Sequence, residues 1–210
     1  MISKEEIYSA LEERHGKDIQ KKFAAASVVI CGLGGLGSNI AVSLARAGIG
    51  NIHLIDFDRV DVSNLNRQQY FVSQLGEYKT DALLNNLKNI SPYTVITSQC
   101  VKLNEENIPE LLAPYDIICE AFDKADQKAM LVNSVLENFP EKYLISGNGM
   151  AGFGSSNDII TRRITKRFYI CGDGKSDISD GIGLVSARVA VCAAHQANMI
   201  LRIISGIYDA

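Results

Sequence analysis

The sequence has no excess of positive charge: 21 lysine and arginine residues stand against 24 aspartate and glutamate residues, for a formal net charge of -3. Binding to a phosphate backbone normally shows as a clear basic excess, so nucleic acid is not expected as the main partner and any basic site must be local. No apolar run approaches the roughly 18 residues that a membrane span requires, so no membrane attachment is expected. Lys4, Glu5 and Glu6 stand where a signal peptide would be apolar, which predicts a cytoplasmic protein. The five cysteines, at 31, 100, 119, 171 and 192, contain no C-x-x-C pair, and their number is odd. Buried free thiols are therefore expected in place of a disulfide framework or a zinc site. No internal repeat, low-complexity tract or linker rich in Pro, Gly and Ser divides the 210 residues, and 47% of them are hydrophobic, enough to bury the core of one domain.

What is present reads as strands alternating with helices. Residues 1–26 carry apolar Ile7, Leu11 and Phe23 among charges, which predicts a helical lead-in. Residues 27–210 form the remaining unit. There, Val28 to Cys31 is a β-branched run stopped by glycines, and Ser38 to Ala47 has helical spacing. Strands are expected at Asn51 to Ile55, Val95 to Ser98, Ile117 to Cys119 and Leu144 to Ser146, with helices at Thr80 to Asn89 and Lys128 to Leu136. This order implies an α/β, Rossmann-like, doubly wound and mostly parallel sheet. After Gly147 the pattern predicts an antiparallel extension from Ile159 to Ile164 and Phe168 to Cys171. A Gly/Asp-rich loop follows from Gly172 to Gly183, and then a C-terminal helix, Leu184 to Ile204, packed back on the sheet.

Gly32, Gly34 and Gly37 fit G-x-G-x-x-G between a strand and a helix, where bare backbone lets a phosphate approach a helix N-terminus. Asp56 ends the next strand, where a carboxylate would take ribose hydroxyls. These features indicate a nucleotide without choosing one, since NAD, FAD, S-adenosylmethionine and ATP sites share them. The choice rests on what comes next: Ser63-Asn64-Leu65-Asn66-Arg67-Gln68, then Lys79, then Asp123 after the fourth strand. Two cations and a further carboxylate suit a triphosphate, whose α-phosphorus is attacked while cations hold the other oxygens and a carboxylate holds Mg²⁺. Taken singly, Arg67 and Lys79 read more often as solvated surface charges, and Asp123 could be a helix N-cap before Ala125.

In Gly32-Leu33-Gly34-Gly35-Leu36-Gly37-Ser38, Asp56-Phe57-Asp58, the stretch Ser63 to Gln68, Gly76 with Lys79, and Asp123, the sequence resembles the superfamily of ThiF, MoeB and HesA proteins and the adenylation domains of ubiquitin-activating enzymes. The final helix is similar too, and the resemblance covers about residues 20 to 206. It implies ATP-dependent adenylation of the C-terminal glycine carboxylate of a small ubiquitin-like sulfur carrier, with release of pyrophosphate. In that picture Gly35 backs the phosphates and Asp56, followed by Asp58, holds the ribose. Ser63 to Gln68 line the nucleotide, Arg67 and Lys79 meet the phosphates, and Asp123 binds Mg²⁺. Relatives send an N-terminal arginine into the partner subunit's site of a homodimer, a role that would fall to Arg14. The two C-x-x-C pairs of larger relatives are missing, so no zinc is expected, and Lys124 stands after Asp123 where many relatives have Asn.

The segment Tyr169 to Gly174, with Cys192 to Met199, looks most like a compact ThiF branch associated with thiamine biosynthesis, whose carrier is ThiS. Other readings are adenylation of a molybdopterin-type carrier or of a small-molecule or tRNA carbonyl. A nicotinamide-dependent dehydrogenase and a nucleotide-binding scaffold without activity are rivals of a different class. Cys171 is a candidate for sulfur transfer, though its neighbours give it no evident thiolate character. His195 reads as a packed histidine. Asp173, Asp177 and Asp180 could suggest calcium but lack the flanking Gly and Glu of an EF-hand, so they read as part of a mobile loop that crosses the substrate.

Overall fold

In the computed structural model, which describes residues 2–181 and 183–210 and only the backbone of residue 180, Gly16 divides the lead-in into two helices, α1 (Lys4–His15) and α2 (Lys17–Ala25). Ser3 opens α1 with a reciprocal cap: its Oγ accepts from the Glu6 amide while Glu6 accepts from the Ser3 amide. Gly16 has φ +89°, a conformation that costs a glycine little, and it turns the chain between the helices.

The sheet then begins. Strand β1 (Ser27–Cys31) leads into α3 (Gly35–Arg46), β2 (Asn51–Asp56), α4 (Lys79–Ile90) and β3 (Val95–Cys100). A short helix α5 (Ile108–Leu112) precedes β4 (Ile117–Glu120), α6 (Ala125–Asn138) and β5 (Tyr143–Gly147). The chain finishes with β6 (Ile160–Arg163), β7 (Phe168–Gly172) and the long α7 (Ser186–Ser205). The strand order is β3-β2-β1-β4-β5-β7-β6, and every pairing is parallel except β6 with β7. The expected antiparallel pair is present, and β7 also continues the parallel sheet by pairing with β5, Leu144 opposite Phe168.

Period-two alternation splits the core into two layers. Val28 and Ile30 face one cluster with α3, α4 and α7, whereas Val29 and Cys31 face the other with α5 and α6. Helix α7 lies beside α3 and carries Val189, Cys192, Ala193, Ile200 and Ile203 into the first cluster, as the apolar run at the end of the sequence predicted. Among the described residues no helix is long and apolar enough to cross a membrane. Because β2 and β3 lie on one side of β1 and β4 on the other, the winding reverses between β1 and β4. The crevice outside the carboxyl ends of the strands at such a reversal is where ligands of open α/β sheets bind.

Candidate nucleotide site

A cavity of about 430 Å³ opens at that reversal. Its walls come from Gly32, Gly34 and Gly35 after β1, Asp56 and Asp58 at the end of β2, and Asn64, Arg67 and Gln68 on the following segment. Lys79 at the start of α4 and Asp123 beyond β4 complete the set.

The glycine turn is held in shape before any ligand arrives. Gly32 has φ +93°, and a Cβ on Gly37 would sit 1.8 Å from the Gly32 carbonyl oxygen, so a side chain there would force the turn off the helix. Between these glycines both backbone groups of Leu33 are taken: its N–H donates to Asp56 Oδ2 at 2.6 Å, and its carbonyl accepts from the Tyr70 hydroxyl at 2.8 Å. Helix α3 starts at Gly35, so its first amides face the cavity with the favourable end of the helix dipole. Gly37 itself lies beneath the turn, against the Gly32 carbonyl, and is not among the residues that line the cavity.

The stretch from Ser63 to Gln68 divides its labour. Asn64, Arg67 and Gln68 wall the cavity. Ser63 and Asn66 stand outside it and steer Arg67, whose guanidinium donates to the Ser63 carbonyl at 3.0 Å and to Asn66 Oδ1 at 2.8 Å. Leu65 packs against the core, and Asn66 Nδ2 donates to the Leu184 carbonyl at 2.9 Å. Two buried side-chain atoms of these residues have no hydrogen-bond partner among the described residues: Arg67 Nε, a donor, and Gln68 Oε1, an acceptor.

Lys79, with its side chain 6% exposed, pairs with Asp58 at 2.9 Å and also donates its amide to the Asp58 carbonyl at 2.9 Å. Asp123 is exposed, lines the cavity and makes no hydrogen bond or ion pair among the described residues. It does not cap α6, whose N-cap is Lys124. Magnesium takes one or two carboxylates plus substrate phosphates and water, so a single uncommitted carboxylate beside an anion cradle fits it. Among the described residues no group of three or more His, Cys, Asp or Glu side chains is disposed to hold a metal. Arg14 is exposed on α1, outside the cavity of its own chain. That helix sits at the opposite end of the sheet, its Leu11 packed at Gly48 just before β2 begins.

Several residues not expected from the sequence surround this set. Phe57 and Lys102 both line the cavity, the ammonium 5.8 Å from the ring centre. Lys128 lines the floor and is bound to Glu120, which ends β4 and is fully buried. The Gly/Asp-rich loop is anchored at its start. Burial pushes the Asp173 carboxyl up, but the amides of Ser176 and Lys175, the Ser176 hydroxyl and the Arg188 guanidinium together hold it well below the usual carboxylate range. Arg188, at 2.6 Å from Asp173, also donates to the carbonyls of Ala151, Gly154 and Ser155, which ties the loops after β5 and β7 to α7. Of the remaining loop carboxylates, Asp177 lines the cavity, while the side chain of Asp180 falls outside the described residues. His195 shares a hydrogen bond of 3.0 Å with Thr161, a packed histidine as expected. Cys171 is buried, and burial pushes its thiol up to about 11.

Residues 8–210 match the ThiF family. The chain is 34% identical over 132 residues to the sulfur carrier protein adenylyltransferase of Thermus thermophilus, across 62% of this chain and 44% of that protein. It is 36% identical over 115 residues to the molybdopterin-synthase adenylyltransferase of Haemophilus influenzae, across 54% of this chain and 47% of the relative. The matched part is thus under half the length of either curated relative. Among solved structures, the E. coli tRNA N6-threonylcarbamoyladenosine dehydratase TcdA, in complex with AMP, superposes with a TM-score of 0.87 at 21% identity over 98% of both chains, a likeness of fold.

Proposed function

The chain belongs to the ThiF family, and we propose that it is an ATP-dependent adenylyltransferase acting on the C-terminal glycine carboxylate of the ubiquitin-like sulfur carrier ThiS, in thiamine biosynthesis. The observation that carries this reading is the convergence on one cavity of the glycine turn, Asp56, Arg67, Lys79 and Asp123, whose carboxylate has no hydrogen bond or ion pair among the described residues. A triphosphate calls for backbone amides at a helix start, cations on its oxygens and a carboxylate for its divalent cation, and the lining of the cavity offers all three. The named activities of the Thermus and Haemophilus relatives support transfer of an adenylyl group, and the resemblance of residues 169–174 to the compact ThiF branch supports ThiS.

In the proposed reaction an oxygen of the carrier's terminal carboxylate attacks the α-phosphorus of ATP. The new bond to that oxygen forms as the bond to the bridging oxygen breaks, and pyrophosphate leaves with the electron pair. The carboxylate is already ionised at neutral pH, so no general base is needed. Arg67 and Lys79 neutralise the charge that accumulates on the phosphates, and the amides at the start of α3 receive the anion. Asp123 would hold magnesium, which supplies further neutralisation when bound. Asp56 already accepts two backbone amides, from Leu33 at 2.6 Å and Asp58 at 2.7 Å, so it shapes the cradle besides facing the ribose.

The proposal includes a homodimer. Val62, Phe71, Val72 and Leu75 remain exposed around the segment that bears Arg67, an apolar surface a second copy would cover. Arg14, away from its own cavity, would then serve the other subunit. Pyrophosphate exchange into ATP, measured with a ThiS-type carrier ending in Gly-Gly, a molybdopterin-type carrier and tRNA, tests the reading. Exchange is expected with the ThiS-type carrier, exchange only with one of the others would move the substrate, and exchange with none would overturn adenylation.

A further inference from the structure

The turn that carries Asp123 is clamped from below by an ion pair that belongs to neither the glycine turn nor the segment from Ser63 to Gln68. Strand β4 ends at Glu120 and α6 begins at Ala125, so only four residues present Asp123 to the cavity. Both backbone polar groups of the residue just before it are held by the pair. The Phe122 amide donates to Glu120 Oε1 at 2.7 Å, and the Phe122 carbonyl accepts from Lys128 Nζ at 2.9 Å. Lys128 and Glu120 meet at 2.9 Å, and the second carboxylate oxygen accepts from the Ser146 hydroxyl on β5. Gln196 of α7 donates to the Glu120 carbonyl at 3.0 Å. Glu120 is fully buried, and the Lys128 side chain is 19% exposed.

A carboxylate taken wholly out of water is a poor means of stabilising a fold, because a well-packed apolar pair often does as well or better. Its use is therefore sought in what it fixes. The Asp123 side chain makes no hydrogen bond or ion pair among the described residues, so its direction is set by the peptide that leads into it, and that peptide is the one the pair grips. We propose that Glu120 and Lys128 are positioning residues: they hold the turn so that the Asp123 carboxylate meets the divalent cation carried by a nucleotide in the cavity. This rests on the nucleotide reading above.

The test separates positioning from stability. Glu120→Met/Lys128→Met replaces the pair with apolar side chains, and Lys128→Arg keeps a charged donor able to reach both Glu120 and the Phe122 carbonyl. Mn²⁺ serves as the probe, and its affinity for the ATP-bound protein is read by electron paramagnetic resonance of free Mn²⁺, with the melting temperature recorded alongside. The double variant should keep its fold and bind Mn²⁺ at least tenfold more weakly, while Lys128→Arg stays within threefold of wild type. A folded double variant with unchanged Mn²⁺ affinity overturns the inference. Should the double variant fail to fold, Ser146→Ala is read instead, since it removes one hydrogen bond to Glu120 and no charge. A Mn²⁺ affinity weakened threefold or more is expected there, and an unchanged one overturns the inference. A wild-type protein that binds no ATP would instead refute the nucleotide reading, so the two failures are distinguishable.

Discussion

The Asp56 carboxylate accepts the Leu33 amide at 2.6 Å with one oxygen and the Asp58 amide at 2.7 Å with the other, joining the end of β2 to the glycine turn after β1. Replacing it with Ala leaves two amides without acceptors at a position only 7% exposed. A loss of about 1–3 kcal/mol per unsatisfied group is expected in urea denaturation. ATP binding, followed by calorimetry, should weaken by more than tenfold, because the turn loses its fixed shape as well as a ribose acceptor. Unchanged stability would show that the turn holds itself.

Asp123→Ala should leave the melting temperature unchanged, since the side chain is exposed and makes no hydrogen bond or ion pair among the described residues, yet it should nearly abolish Mg²⁺-dependent pyrophosphate exchange. Arg67→Ala and Lys79→Ala should each lower the rate on the order of 10²-fold, the usual result of removing a preorganised charge from a transition state. Near-normal exchange in all three would exclude this cavity as the site of chemistry.

Gly34 and Gly37 should part company when each is changed to Ala. A Cβ on Gly34 meets nothing nearer than Gln68 Nε2 at 3.7 Å, so that variant should fold. Its methyl group would stand where a phosphate must approach, and ATP affinity should fall about tenfold. Gly37→Ala should lose its cooperative thermal transition, because the added atom meets backbone at 1.8 Å. Circular dichroism and calorimetry on the two proteins check the contrast.

Thiol labelling offers a test independent of the nucleotide. Four cysteines are buried and Cys100 alone is exposed. Burial holds Cys171 near 11 and Cys192 near 12, so neither is a thiolate at pH 8. Ellman's reagent should titrate one thiol in the native protein and five in denaturant, and Cys171→Ser should still support pyrophosphate exchange. Rapid native labelling of Cys171 would revive a role in sulfur transfer.

The Asp173–Arg188 pair should leave a mark on acid stability. Asp173 titrates below its unfolded value, near 4, so its contribution is complete above that pH and is lost as pH falls towards the folded value. The stability gap between wild type and Asp173→Asn should therefore be full at pH 7 and shrink below about pH 4. A gap independent of pH would mean that the carboxylate charge is not what holds the loop.

Much of the fold is legible in the sequence because steric needs leave residue types behind. Gly32 and Gly37 mark a turn that only glycine can make, and β-branched runs mark buried parallel strands. The neighbours of a strand are less legible: periodicity finds Phe168 to Cys171 but not that β7 inserts between β5 and β6. In the cavity, residues 63–68 read as one contiguous lining, yet a tight turn sends successive side chains in different directions, so only Asn64, Arg67 and Gln68 face inward. Glu120 was hidden for another reason. It is a lone acidic residue closing an apolar run, and its partners Ser146 and Lys128 come from a different strand and helix, a pairing that no local spacing reveals.

The neighbours at the middle of the sheet are β1 and β4, which are remote in sequence and joined side by side from Val28 opposite Ile117 to Cys31 opposite Glu120. The glycine turn hangs from one and the Asp123 turn from the other, so the two sides of the cavity come from opposite halves of the polypeptide. Folding must close a long loop before either half has a partner, a step that is slow for parallel pairings. A nucleotide that touches both sides stabilises most the state in which both halves have met. It should therefore slow unfolding, and a fragment ending before β4 should bind it more weakly than the whole chain does.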